Sequence, residues 1–188
     1  MSIMRTALLL TALLLLTACS HNPAFSPIPA QAPPVIAPDP PSVPCFFSMS
    51  EARADQAIVQ DIPLGLGSGV HRWTAENPAV RCKLPSGGPW NIAMDFFVTG
   101  TTMRDTGPIT LTFKVNGREI ARLRCDKPGP QQFRAPLPPE LIPSVPSRDR
   151  QGAVADLVLQ ASIDKPWIAP ADGKKLGVIL TAMGFVQP

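Results

Sequence analysis

The chain has 188 residues, with 17 Lys and Arg against 14 Asp and Glu and a net charge of +3. So small and scattered an excess of cations is not the electrostatic footprint of a nucleic-acid binder. With only two His and four Cys, and no Cys-x-x-Cys or paired His, the sequence offers neither a metal-ligand set nor a cofactor motif.

The chain opens on a single early cation, Arg5, then an apolar run from Ala7 that closes on Leu16-Thr17-Ala18-Cys19. A charged start, an apolar middle and small residues at the cut make a secretory signal peptide. The run is too short for a membrane span, which needs roughly 20 apolar residues. The ending resembles the bacterial lipobox, whose Cys is acylated and becomes the first mature residue. That resemblance implies a signal peptide over 1–18, lipidation at Cys19 and attachment to a membrane through the lipid. Ser20, where Asp is absent, resembles the outer-membrane sorting pattern, so the expected place is the bacterial cell envelope, as an outer-membrane lipoprotein. Removal of the 18 residues before Cys19 leaves 170 of the 188.

Residues 19–44 are the lipidated Cys and a linker. Nine prolines fall between Pro23 and Pro44, with almost no charge among them. Proline fixes φ and removes a donor, so the tract favours polyproline II and cannot join a sheet. At about 3.1 Å per residue it reaches roughly 65–70 Å as a semi-rigid spacer. The alternative, a Pro-rich ligand for an aromatic groove, lacks flanking cations.

The folded domain is expected over 45–188. Ser48-Met49-Ser50-Glu51 has capping-box spacing, and Ala52 to Val59 suits a short helix. Gly65-Leu66-Gly67-Ser68-Gly69 is a break; it matches neither a nucleophile elbow nor a phosphate loop. From there the period is two. Val80, Cys82 and Leu84 alternate with Arg81 and Lys83; Trp90, Ile92, Met94, Phe96 and Val98 share one face; Ile109, Leu111, Phe113 and Val115 alternate with Thr110, Thr112 and Lys114. Such alternation marks half-buried strands. Asn116-Gly117 suits a type I′ turn into Arg118–Cys125. Further strands are expected near 131–137, 153–163 and 176–185, with a single helical turn at most over Pro138-Pro139-Glu140-Leu141-Ile142. The fold class is all-β, an antiparallel jelly-roll-like β-sandwich preceded by a signal peptide and a Pro-rich linker.

With Cys19 assigned to lipid, Cys45, Cys82 and Cys125 leave an odd thiol in an oxidising compartment. Cys82 and Cys125 both fall on inward strand faces, so Cys82–Cys125 is the first pairing expected, against the alternative that they are buried reduced thiols.

The order Gly67-Ser68-Gly69-Val70-His71-Arg72-Trp73-Thr74, then Val115-Asn116-Gly117-Arg118-Glu119, then Pro170-Ala171-Asp172-Gly173-Lys174-Lys175-Leu176-Gly177-Val178 resembles a jelly-roll accessory module of bacterial cell-envelope and polysaccharide-related proteins. The resemblance covers about 60–188. It departs at Val70, where the family has Trp, and at Lys174, near its usual Arg. It implies a galactose-binding-like sandwich that associates with carbohydrate or envelope polymer, and it supplies no catalytic residue.

The residues read the same way. One histidine, His71, lies in the domain, and a set drawn from His71, Ser68 and a distant acid has neither the elbow nor the spacing of a catalytic triad. Glu76, Asp95, Asp105 and Asp172 do not form a pair spaced for glycoside hydrolysis. A non-enzymatic binder is expected. Exposed Trp offers a platform to the apolar faces of sugars, with charged neighbours for their hydroxyls. The candidate ligand contacts are His71, Arg72, Trp73 and Glu76, and a second cluster at Trp167 and Asp172. Trp90 reads as core, Trp73 as core or platform, and Trp167, in a Pro-flanked loop, as exposed. The partner is expected to be a polysaccharide or, alternatively, an envelope protein for which this chain is an accessory or assembly subunit.

Overall fold

The computed structural model describes residues 45–65, 69, 71–85, 89–142 and 154–188. The signal peptide, Cys19, the Pro-rich tract and the Gly67-Ser68 part of the break lie outside them. No helix among the described residues is long and apolar enough to cross a membrane.

The described chain forms two five-stranded antiparallel sheets. Sheet A holds β1 (Phe46–Ser48), β3 (Arg72–Trp73), β5 (Asn91–Val98), β8 (Gly129–Pro136) and β12 (Ile179–Val186). Its order is β1-β12-β5-β8, with β3 beside β12 next to β1. Sheet B runs β2-β4-β9-β6-β7, with β2 Ile58–Gln60, β4 Ala79–Pro85, β6 Ile109–Val115, β7 Arg118–Cys125 and β9 Val154–Ile163. β10 (Trp167–Ile168) and β11 (Lys175–Leu176) pair as a separate ribbon. This is the expected all-β sandwich.

Period-two apolar residues build the interior. Ile92, Met94, Phe96 and Val98 of β5 and Ile109, Leu111, Phe113 and Val115 of β6 share one core, all at most 2 % exposed. Phe113 of sheet B stacks on Phe133 of sheet A, ring centroids 3.9 Å apart. Burying each such side chain contributes about 1.5–3 kcal/mol. The β6–β7 hairpin turns at Asn116 (φ 49°) and Gly117 (φ 81°), the pair of positive φ values that a type I′ turn requires.

Three local expectations are corrected. The helix spans only Ala54–Ala57, labelled α1; the β-branched Ile58 and Val59 then open β2, which pairs with β4 through Ile58 and Gln60 instead of extending a helix. No capping box forms, since the helix N-cap is Arg53, which gives no side-chain cap, and Ser48 Oγ bonds Ser50 Oγ instead (2.7 Å). The disulfide joins Cys45 to Cys82 and leaves Cys125 as a buried free thiol. Both Cys82 and Cys125 do face inwards. However, β9 and β6 lie between β4 and β7 in sheet B, a separation of three strand spacings or about 14 Å, far beyond disulfide reach. Burial, and secondarily Asp126, push the Cys125 thiol up to about 11.

A candidate binding pocket at the rim of sheet A

The segments that follow Trp73 and Asp172, about a hundred residues apart in sequence, meet at one rim. Thr74, 1 % exposed, is the junction. Its N–H donates to Val178 O (2.9 Å), its carbonyl accepts from Gly177 N (2.8 Å), and its Oγ1 accepts from Val178 N (3.0 Å). A Cβ at position 177 would collide with Thr74 and with the Ala75 carbonyl, so the close approach requires glycine. The stitched backbone brings Lys175 Nζ within 3.2 Å of Glu76 Oε2.

Between these segments lies a pocket of about 510 Å³, walled by Ile62, Pro63, Trp73 and Leu176, with Asp61, Lys174 and Lys175 also lining it. Asp61 sits at φ 58°, a left-handed position that Asp tolerates. It is held there by Ala75 N–H on its carbonyl (2.8 Å) and Asn77 N–H on its carboxylate (2.7 Å). An apolar wall with a few polar groups in the lining is the usual make-up of a ligand cleft.

Trp73 is half-buried, with its indole lining the pocket. Its neighbour His71 is exposed. Arg72 points the other way, 5 % exposed. Its Nε donates to Met49 O (3.1 Å), and its Nη1 to Pro63 O (2.9 Å) and to the Asp55 carboxylate. Nη2 is buried and has no hydrogen-bond partner among the described residues. Arg72 therefore fastens α1 and the 61–65 turn to β3, and does not line the pocket. Its guanidinium, followed by the Gly65 N–H, holds the Asp55 carboxyl below the ordinary range.

Trp167 lies in β10 instead of an open loop. It is half-buried opposite Leu176, and its Nε1 donates to Asp105 Oδ2 (2.8 Å). Asp105 is at the end of α2 (Gly100–Thr106), and Arg104 first, then this indole N–H, keep its carboxyl low. The outcome is a pinned ribbon. Asp172 accepts from Lys174 Nζ (2.7 Å) and from Lys174 N–H (3.2 Å). The ammonium holds this carboxyl below the ordinary range and is itself raised. Trp90 packs against the core, as expected.

Of the six expected contacts, Trp73 thus lines the pocket and Glu76 and Asp172 hold its lysines; His71 and Trp167 stand outside it, and Arg72 lies beneath. The sequence reading had not singled out Asp61, Ile62 and Pro63. Lys174, Lys175 and Leu176 entered only through the closing segment of the resemblance. An Asp before an Ile-Pro turn is a weak signal, and nothing local foretells its pairing with Asn77. Phe97, an aromatic in phase with Asn91, Ala93 and Asp95, is an anomaly already legible in the sequence.

No family model matches the chain, and no curated protein matches it. Among solved structures, a native family 35 carbohydrate binding module from Clostridium thermocellum is similar at 13 % identity, with a TM-score of 0.37, covering 76 % of this chain and 97 % of that one. A family GH115 4-O-methyl-α-glucuronidase with specificity for decorated arabinogalactans is similar at 12 % identity, with a TM-score of 0.43, over 85 % of this chain. A cycloisomaltooligosaccharide glucanotransferase from Paenibacillus sp., complexed with cycloisomaltoheptaose, is similar at 10 % identity, with a TM-score of 0.39, over 77 % of this chain. This chain spans only 19 % and 18 % of those two proteins. Similarity at these levels carries nothing about what the chain binds.

Proposed function

We propose that this chain is a lipid-anchored bacterial envelope lipoprotein, held at Cys19, whose β-sandwich binds carbohydrate without cleaving it. The observation that carries the reading is the convergence of Trp73, Lys174 and Lys175 on one apolar-walled pocket from segments distant in sequence. The indole supplies a flat apolar wall, and the lysines and Asp61 supply hydrogen bonds in the lining. Glu76 and Asp172 are each engaged by a lysine and Asp61 by a backbone N–H, contacts that hold the site together.

The test is retention of the mature protein on immobilised envelope polysaccharide. Wild type is expected to be retarded, and Trp73→Ala to lose about tenfold in affinity, the size of one aromatic stacking contact. Equal passage of both proteins overturns the reading. A second reading, a protein partner, draws on Leu64 (69 % exposed) and Ile168 (59 % exposed), large apolar residues next to Pro63 and opposite Lys175 respectively. Specific capture of one envelope protein, lost in Leu64→Ser, supports that alternative.

A further inference from the structure

Trp73, part of the pocket lining, also begins a surface row that crosses sheet A. Strand register sets Trp73 opposite Ile179, Ile179 opposite Phe97, and Phe97 opposite Pro130. Residues directly opposed across antiparallel strands share a face. Their chain neighbours Arg72, Leu180, Phe96 and Val98 are buried, so the row faces away from the interior. Phe97 is 39 % exposed, the only strand residue of sheet A among the exposed large apolar side chains. With strands about 4.8 Å apart, the row is about 14 Å long.

The row itself carries no charged side chain, and charges beside it are paired. At the Phe97 end, Asp95 is held by Arg134 Nη1 (2.7 Å), whose guanidinium also lies over the Phe46 ring, 5.1 Å from its centroid; at the Trp73 end, the pocket's Lys174 and Lys175 pair with Asp172 and Glu76. A strip one residue wide is far below the roughly 800 Å² that each side of a specific protein complex buries. A sugar chain, with apolar ring faces and hydroxyl edges, fits a narrow line of apolar side chains bordered by polar ones.

We infer that this row continues the pocket and takes an uncharged oligosaccharide laid across the strands, so that the domain recognises several consecutive sugar units and not a single one. The inference rests on the carbohydrate reading above and adds length and charge to it. Trp73 is shared between pocket and row; Phe97 belongs to the row alone.

The test measures affinity of the full mature protein for glucose and for length-graded cello- and malto-oligosaccharides, with galacturonate oligomers as the acidic counterpart. Wild type is expected to bind the longest member of one neutral series about tenfold more tightly than glucose. In Phe97→Ala that gain disappears while glucose binding stays at the wild-type level; Phe97→Leu, which retains apolar bulk without a ring, recovers part of it. Circular dichroism of each variant checks the fold. If Phe97→Ala keeps the length dependence and Trp73→Ala abolishes binding, the row is refuted and the pocket reading survives. Preference for the acidic oligomers, or binding of envelope polysaccharide without any neutral oligomer, likewise refutes the row alone. Failure to bind any oligomer or polysaccharide sinks both.

Discussion

The two sheets share one interior and turn different surfaces outwards. Sheet B presents Arg81 and Lys83 from β4, Thr110, Thr112 and Lys114 from β6, and Arg122 and Arg124 from β7. Its charges are largely matched in place: Arg81 with Asp156 (3.8 Å), Arg122 with Glu119 (2.8 Å) and Arg124 with Asp126 (2.7 Å). Exposed pairs of this kind contribute little stability but keep the surface soluble. Sheet A instead carries Phe46, Trp73, Phe97 and Ile179 beside the polar Asp95, Gln132 and Arg134. Alternation alone accounts for the first surface. The second breaks the polar-outside rule, and that departure is where a ligand is to be sought.

The largest expected effect tests whether the two surfaces belong to one cooperative body. The Cys45–Cys82 disulfide ties β4 of sheet B to the residue that precedes β1 of sheet A and closes a loop of 37 residues. Cys82→Ala is expected to lower stability by about 4 kcal/mol. The loss should appear at a single denaturant midpoint by both tryptophan fluorescence and circular dichroism; two separated transitions break the idea of a shared body.

A smaller effect separates the two sides of β3, whose Trp73 lines the pocket while the buried Arg72 pairs with the half-buried Asp55. Because the folded state lowers the Asp55 carboxyl, its contribution is present above about pH 4 and is lost as the pH falls through the lowered value. Asp55→Asn is therefore expected to destabilise the protein at neutral pH and to flatten the acid limb of its stability profile. An unchanged acid limb refutes the assignment.

The smallest effect sharpens the contrast by its absence. Lys83→Gln, on the solvated face of sheet B, is expected to change stability by no more than about 0.5 kcal/mol and to leave polysaccharide retention unaltered. A retention loss comparable to that of Trp73→Ala assigns binding to the wrong sheet.

The strands of the core were legible because β5 and β6 each alternate over seven or eight residues, and the 116–117 turn because Asn-Gly demands positive φ. The disulfide was not, since parity tells which way a cysteine faces but not how many strands separate it from another. Arg72 misled for the opposite reason. An Arg beside an aromatic looks like a ligand contact, yet its parity in β3 sends it inwards to Asp55, a partner 17 residues earlier with no local signature. The pocket itself arises from hydrogen bonds between Thr74 and residues 177–178, contacts that no window of sequence contains.

The position of the disulfide has a mechanical consequence for a domain hung from its N-terminal end, as proposed for this chain. Any pull from the anchor reaches the folded body at Cys45. The three-residue β1, bonded edge-on to β12, offers weak resistance to being peeled away. A covalent cross-link at that same residue diverts the load to Cys82 in the middle of β4, a strand flanked by β2 and β9. The join between rope and cargo is thereby riveted into an inner strand, and drag on a captured polymer strains the sandwich as a whole before it frays the edge.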